Sequence, residues 1–576
     1  MRAKGSYFSL AHILHRQAAS PDLIDPPLSR KERTHTITSN CLDIFRSASS
    51  RKRSKETHKT VPAHPTSADT LPKRGLGESL DTRHGPGSWH IILLLVAYSL
   101  LPARASDQSE VLAQAERLER AGQFRESGAV LAHALAATPT PSAKHKQLEF
   151  ELDRLDRIRK DFPYTQDRLY QDLKKSVKDL APAEYEEWVR EGRFDSRPID
   201  GERRFMASSI SNLFFRYPEL NARRIPAKND GEVQMLQLET CRAIKAAALA
   251  EHTPYVLPKR FDVTMNVTAD ANAAPDGEIV RAWLPIPREY PFQGGFQLLT
   301  ASPVPKNIYD EASAIRSLCL EQPARKNKPT KFSIEYGYTA RGVWFDLKPE
   351  DVRGIDARDR DLARFITEAP HVVFTPEMRA LSQQIVANEA NPYRKAKKFY
   401  DWIAENIKYS FATEYSTIRN ISEYCRSHGY GDCGQEALLF ITLCRLNGIP
   451  ARWQSGWNTF PGAKSIHDWS EIYIAPYGWI PVDPYMGIYA TRYATKLTSD
   501  QRREIRDFYF GGLDQYRIAA NSDHNQVLNP PKRSVRSDNV DFQRGELEWG
   551  THNIYFDQFS YELRVKDVPR EAKRLD

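Results

Sequence analysis

Gly431-Asp432-Cys433-Gly434-Gln435 runs directly into Glu436-Ala437-Leu438-Leu439-Phe440-Ile441-Thr442-Leu443-Cys444-Arg445-Leu446, which stops at Asn447-Gly448. The apolar run reads as a helix, Asn447-Gly448 as its stop, and Ile449-Pro450-Ala451-Arg452-Trp453 as the start of a strand. Cys433 therefore falls at a helix N-terminus. Unpaired N–H groups and the helix dipole there favour a thiolate, the nucleophilic form of the side chain.

A thiolate nucleophile needs a base and a group to orient that base. Downstream, Ile466-His467-Asp468-Trp469-Ser470-Glu471-Ile472-Tyr473-Ile474 alternates as a strand, Ala475-Pro476-Tyr477-Gly478 reads as a turn, and Trp479-Ile480-Pro481-Val482-Asp483-Pro484 follows. A hairpin over these residues brings His467 and Asp483 together at its open end. The expectation is a Cys433–His467 pair in which Asp483 accepts from the second ring nitrogen and fixes the tautomer.

These motifs together resemble the transglutaminase-like superfamily: Gly-Asp-Cys-Gly before an apolar helix, Arg-Leu-Asn-Gly-Ile-Pro-Ala-Arg, His-Asp-Trp, and Gly-Trp-Ile-Pro-Val-Asp-Pro. The match covers about residues 395–490. The resemblance implies a papain-like α+β core with nucleophile Cys433, base His467 and orienting acid Asp483. It also implies an oxyanion donor upstream of the nucleophile, for which Tyr409 is the candidate, with Trp402 and Gln435 behind it. The backbone N–H of Cys433 is a natural second donor. The chemistry expected is acyl transfer or hydrolysis on peptide or glutamine amides through a Cys433 thioester. The competing expectation is an extracytoplasmic binding or scaffold protein whose triad is not used.

The rest of the chain sets this core in context. At 576 residues it is long enough for several domains. Mean hydropathy of −0.59 excludes a polytopic membrane protein. The net charge of +8 points to no nucleic-acid partner, because residues 1–88 hold 15 Lys/Arg against 8 Asp/Glu, leaving 67 against 66 elsewhere. That 1–88 segment reads as disordered or as an over-long start. Ile91–Leu101 is too short to span a bilayer but suits the apolar part of a signal peptide, with Ala103-Arg104-Ala105 as a cleavage pattern. A signal-like segment over 89–105 predicts a secreted or periplasmic protein, a mature start near Ser106, and no integral membrane span in the mature chain.

Helical periodicity predicts an α-helical region over 106–255. It begins with a helix–turn–helix pair from Glu110 to Ala137 that resembles one tetratricopeptide unit. Further helices are expected over 143–160, 166–190 and 233–250. Period-two alternation near 261–267, 278–284 and 331–340 predicts a β-sandwich-like domain over 256–350. The transglutaminase-like core is placed at 351–525 and a C-terminal extension at 526–576. Cys425, His428, Cys433 and Cys444 are poorly spaced for zinc, so no metal is expected, nor any other cofactor. Cys241, Cys319 and Cys425 leave a disulfide open. The expected partner is a protein or peptide substrate, cell-wall peptides being one candidate.

Overall fold

A computed structural model describes residues 35–38, 108–140, 142–226, 229–355 and 359–569. The signal-like segment 89–105 lies outside the described residues. Within 1–88, His35–Thr38 form a four-residue strand paired antiparallel with Glu562–Val565, an edge pairing in a stretch whose composition predicts none.

The molecule combines helices and sheets in successive layers along the chain. Helices Gln108–Arg120 and Phe124–Ala136 form the expected pair, and Ala143–Asp161 packs on the second. Leu148, Leu155 and Ile158 of that third helix cover Phe124 and Leu131, so a helix, rather than a further repeat, buries the open face. The predicted helix over 166–190 is two helices, Gln166–Leu173 and Pro182–Arg190. Pro182 occupies the first turn of the second, where its missing N–H costs nothing, and it forces Ala181 out of helical geometry. A short hairpin, Ser196–Ile199 with Glu202–Phe205, stands inside the region expected to be wholly helical. Helix Gly231–Glu251 then leads into the sheets.

The β-domain is a sandwich. One sheet pairs Tyr255–Ala269 with Thr330–Trp344, and Gln293–Ser302 adds to the latter. The other pairs Ile279–Pro285 with Ser317–Pro323. Alternate residues face inward from both: Phe261, Val263, Met265 and Val267 from one sheet, Val280, Ala282 and Leu284 from the other. Residues expected to be a C-terminal extension complete both sheets instead. Phe559–Val568 pairs along Tyr255–Ala269, and Glu546–Trp549 pairs with Ile279–Pro285. Without these strands both early strands would present an unpaired edge.

The core that follows is built around helix Cys433–Leu446, which is buried at every position from Cys433 to Arg445. Helices Pro376–Val386, Pro392–Asn406 and Ile421–His428 pack on it from one side. A four-stranded antiparallel sheet, ordered 478–482, 465–474, 451–458 and 517–521, covers the other. Trp457 and Ile518 of that sheet are buried in the sandwich core, so the two layers share one apolar interior.

Among the described residues no helix is long and apolar enough to cross a membrane. All five described cysteines, Cys241, Cys319, Cys425, Cys433 and Cys444, are unpaired and buried.

Truncating Trp457 to Ala is expected to cost about 3–5 kcal/mol of stability. Denaturant unfolding checks this, and a loss below about 1 kcal/mol would show that the sandwich and the four-stranded sheet do not depend on a common core.

Candidate active site

Asp432 caps helix Cys433–Leu446. Its Oδ1 accepts from the Gln435 backbone N–H, and Gln435 Oε1 accepts from the Asp432 N–H, each at 3.2 Å. This reciprocal cap fixes the angle at which Cys433 enters the helix. Gly434 lets the helix start approach the sheet. A Cβ there would stand 2.2 Å from the Tyr415 hydroxyl and 2.7 Å from Asp468 Oδ2.

The His467 strand supplies the opposite wall. Its pairing with Gly478–Val482 ends at Ser470–Val482, which leaves the strand edge unpaired on that side at His467 and Asp468. On the other side His467 pairs with Gly456 and Asp468 with Ser455. Asp483, one residue past the hairpin, caps the short helix Pro484–Ile488 by accepting from the Met486 N–H at 3.2 Å. Its other oxygen lies 2.8 Å from His467 Nε2. Both side chains are buried, and the Tyr485 ring stands edge-on to the imidazole at 5.3 Å.

A third group shares Asp483. Arg517, fully buried on the last strand of the sheet, places Nη1 2.9 Å from Asp483 Oδ2 while its Nε donates to Asp514 at 3.1 Å. Burial alone would raise the Asp483 carboxyl, but His467 and Arg517 together hold it below its ordinary value. Burial lowers the His467 imidazole, against the pull of Asp483, so the ring is neutral at pH 7.

Cys433 departs from the thiolate expectation. Burial is the strongest influence on its thiol, Asp468 and Asp432 add to it, and together they push the group well above its ordinary value. An Asp468 backbone N–H bond to the sulfur works the other way and is outweighed. The side chain's hydrogen bond runs from Sγ to Asp468 Oδ2, at 3.5 Å. The helix dipole is a surface-scale effect of about 0.3–1 kcal/mol, too small to offset loss of water next to two carboxyl groups.

Cys433 opens onto a cleft of about 400 Å³ that Asp468, Tyr409, Tyr485, Phe215 and Arg544 also line. Tyr409 reaches the cleft with its ring against Phe215 and Tyr485. The other two residues considered for the oxyanion do not reach it. Trp402 packs on the helical core, and Gln435 is fully buried off the cleft, its Oε1 in the cap and its Nε2 without a hydrogen-bond partner among the described residues. The N-terminal helices form part of the cleft wall through Asp161, Ser208 and Phe215. Arg157 anchors them, donating to Ser416 Oγ at 2.8 Å and to the Ser537 and Arg536 carbonyls at 2.7 and 2.8 Å. Cys425 and Cys444 are buried in the helical core, and His428 stacks on Tyr424 at 3.9 Å.

Residues 379–484 match the family model of the transglutaminase-like superfamily. This stretch is a transglutaminase-like domain. YebA of Bacillus subtilis, an uncharacterized protein, is 26% identical over 129 residues, 19% of this chain and 17% of YebA. An uncharacterized protein of Haemophilus influenzae is 20% identical over 234 residues, 36% of this chain and 63% of that protein. The chain thus spans less than two thirds of the length of either relative. Among solved structures, a proposed cysteine protease from Cytophaga hutchinsonii aligns with TM-score 0.37 at 15% identity, over 55% of this chain and 94% of that one. The periplasmic domain of TgpA from Pseudomonas aeruginosa aligns with TM-score 0.22 at 13% identity, over 43% and 92% of the two chains.

Two groups in the transglutaminase-like domain's site escaped the sequence reading. Arg517 lies beyond the motifs on a strand with no local signal. Asp468 did carry one: a carboxylate on the strand that otherwise buries Trp469 and Ile472 must be held by something inside.

Replacing Arg517 by Met is expected to destabilise the fold by about 3–5 kcal/mol, because Asp483 and Asp514 lose their buried cation. Urea unfolding at pH 7 measures it. Since Asp483 is held low in the folded state, its contribution is present above its unfolded pKa and is lost as the pH falls through the folded one.

Proposed function

We propose that the protein is a thiol-dependent enzyme that transfers or hydrolyses the acyl group of peptide or glutamine amides, with Cys433 as nucleophile, His467 as base and Asp483 as its orienting partner. Two observations carry the reading: the 2.8 Å His467–Asp483 bond, and a cysteine that starts a capped helix, opens onto a cleft and bonds through Sγ to Asp468, the residue after His467. Because Nε2 is turned to Asp483, Nδ1 is the nitrogen left to take the thiol proton.

The resting pair is a neutral thiol and a neutral imidazole, since burial raises the first and lowers the second. Proton transfer from Sγ to His467 Nδ1 then accompanies attack on the carbonyl carbon. The S–C bond forms and the carbonyl electrons move onto oxygen, which the Cys433 backbone N–H receives, with Tyr409 as the candidate second donor. Collapse breaks the C–N bond, the leaving amine takes the proton from His467, and a thioester remains. Water returns the enzyme with a free acid, whereas a primary amine yields a new amide. A protein or peptide substrate suits either outcome, and the signal-like segment at 89–105 supports a secreted or periplasmic location.

The non-catalytic reading draws on one observation, the engagement of the sulfur by Asp468. Mass spectrometry of the protein with a mixed protein substrate and a primary amine, beside Cys433→Ala, separates the cases. Amine incorporation at glutamines, or new chain termini or deamidation, is expected in the wild type and not in the variant. Identical products from the two proteins would refute the assignment of Cys433.

A further inference from the structure

The Asp468 carboxyl is buried at the edge of the cleft where the nucleophile stands, and the triad gives it no task. Its surroundings decide where its proton can sit. Gln543 Nε2 donates both to the His467 carbonyl, at 3.0 Å, and to Asp468 Oδ1, at 2.7 Å. A carbonyl can only accept, so the amide nitrogen is the atom placed there, and Oδ1 is an acceptor. Oδ2, the oxygen facing Sγ at 3.5 Å, also lies 3.5 Å from the Tyr415 hydroxyl. Tyr415 has already given its single proton to Asp432 Oδ1, at 2.6 Å. Both neighbours of Oδ2 therefore become acceptors once the thiol has lost its proton.

We propose, on the reading that Cys433 is the nucleophile, that Asp468 is a further catalytic residue whose carboxyl O–H at Oδ2 donates a hydrogen bond to the Cys433 sulfur as its proton leaves for His467. The charges around the carboxyl favour this form. Asp432 faces it from the helix cap, Tyr415 from the short turn Tyr415–Thr417, Asp538, Asp541 and Gln543 from the C-terminal loop, and Cys433 and Glu436 belong to the helix beside it. The nearby Arg544 is already paired with Glu414, at 3.0 and 2.6 Å. Burial first, then Asp541 and Asp432, push Asp468 well above the ordinary carboxylate value. Ionised, the same group would set a negative charge against the thiolate and suppress it. The residue thus stabilises the nucleophile while it is protonated and opposes it once ionised.

The test is the rate of Cys433 alkylation by iodoacetamide against pH, read by peptide mass spectrometry in the full chain, for the wild type, Asp468→Ala and Asp468→Asn. At pH 6 the Ala variant is expected to react at least about tenfold more slowly, since a hydrogen bond to a charged group is lost. Asn can keep its oxygen on Gln543 and turn an amide N–H to the sulfur. It should restore the rate that Ala loses, and should exceed the wild type at alkaline pH. An Ala variant as reactive as the wild type at pH 6, or an Asn variant no better than Ala, overturns the proposal. His467→Ala in the same assay reports on the nucleophile assignment separately: unchanged alkylation there would refute the Cys433–His467 reading itself.

Discussion

Helix Cys433–Leu446 is buried along nearly its whole length, and the remaining layers are arranged to keep it so. A helix buried on every face has no solvent side, and it must be enclosed by separate elements from all directions. Here the surrounding helices take one flank and the 451–482 hairpins with the 517–521 strand take the other. The N-terminal tip, where Cys433 stands, opens onto the cleft, and the other end is half-buried at Leu446. The same enclosure that positions Cys433 also removes its water.

That desolvation organises the chemistry of the site. In a low-dielectric interior an unpaired charge is costly, so each buried group is either tied to a partner or neutral. Asp483 is tied, shared between His467 and Arg517. Asp432, pushed up to about 6, and Asp541, pushed up to about 7, stand at the edge of ionisation near pH 7. The same forces push the Cys433 thiol well above its ordinary value, away from a standing thiolate. The helix terminus contributes geometry, through the Asp432–Gln435 cap, more than it contributes charge.

Much of this was legible in the sequence because it is local. The apolar run stopped by Asn447-Gly448, the alternation of 466–474 and the turn at 475–478 each appear as elements where the residues put them. The His467–Asp483 contact follows from a hairpin of known register, which is why two residues sixteen apart could be paired by inspection. The misses are long-range. Glu546–Trp549 and Phe559–Val568 find their partners between 263 and 308 residues away, and nothing in their own composition says which edge they will cover. Gln543 and Arg517 reach the site for the same reason. The expected thiolate failed because sequence shows the helix start but not the burial around it.

The central claim is that Cys433 forms an acyl-enzyme with help from His467. Intact-protein mass spectrometry after rapid mixing with p-nitrophenyl acetate tests it most directly, with peptide mapping to locate the acetyl group. The account predicts a transient acetyl thioester on Cys433, absent in Cys433→Ala and formed at least about a hundredfold more slowly in His467→Ala. Acetylation elsewhere with Cys433 untouched, or a rate indifferent to His467, would contradict it.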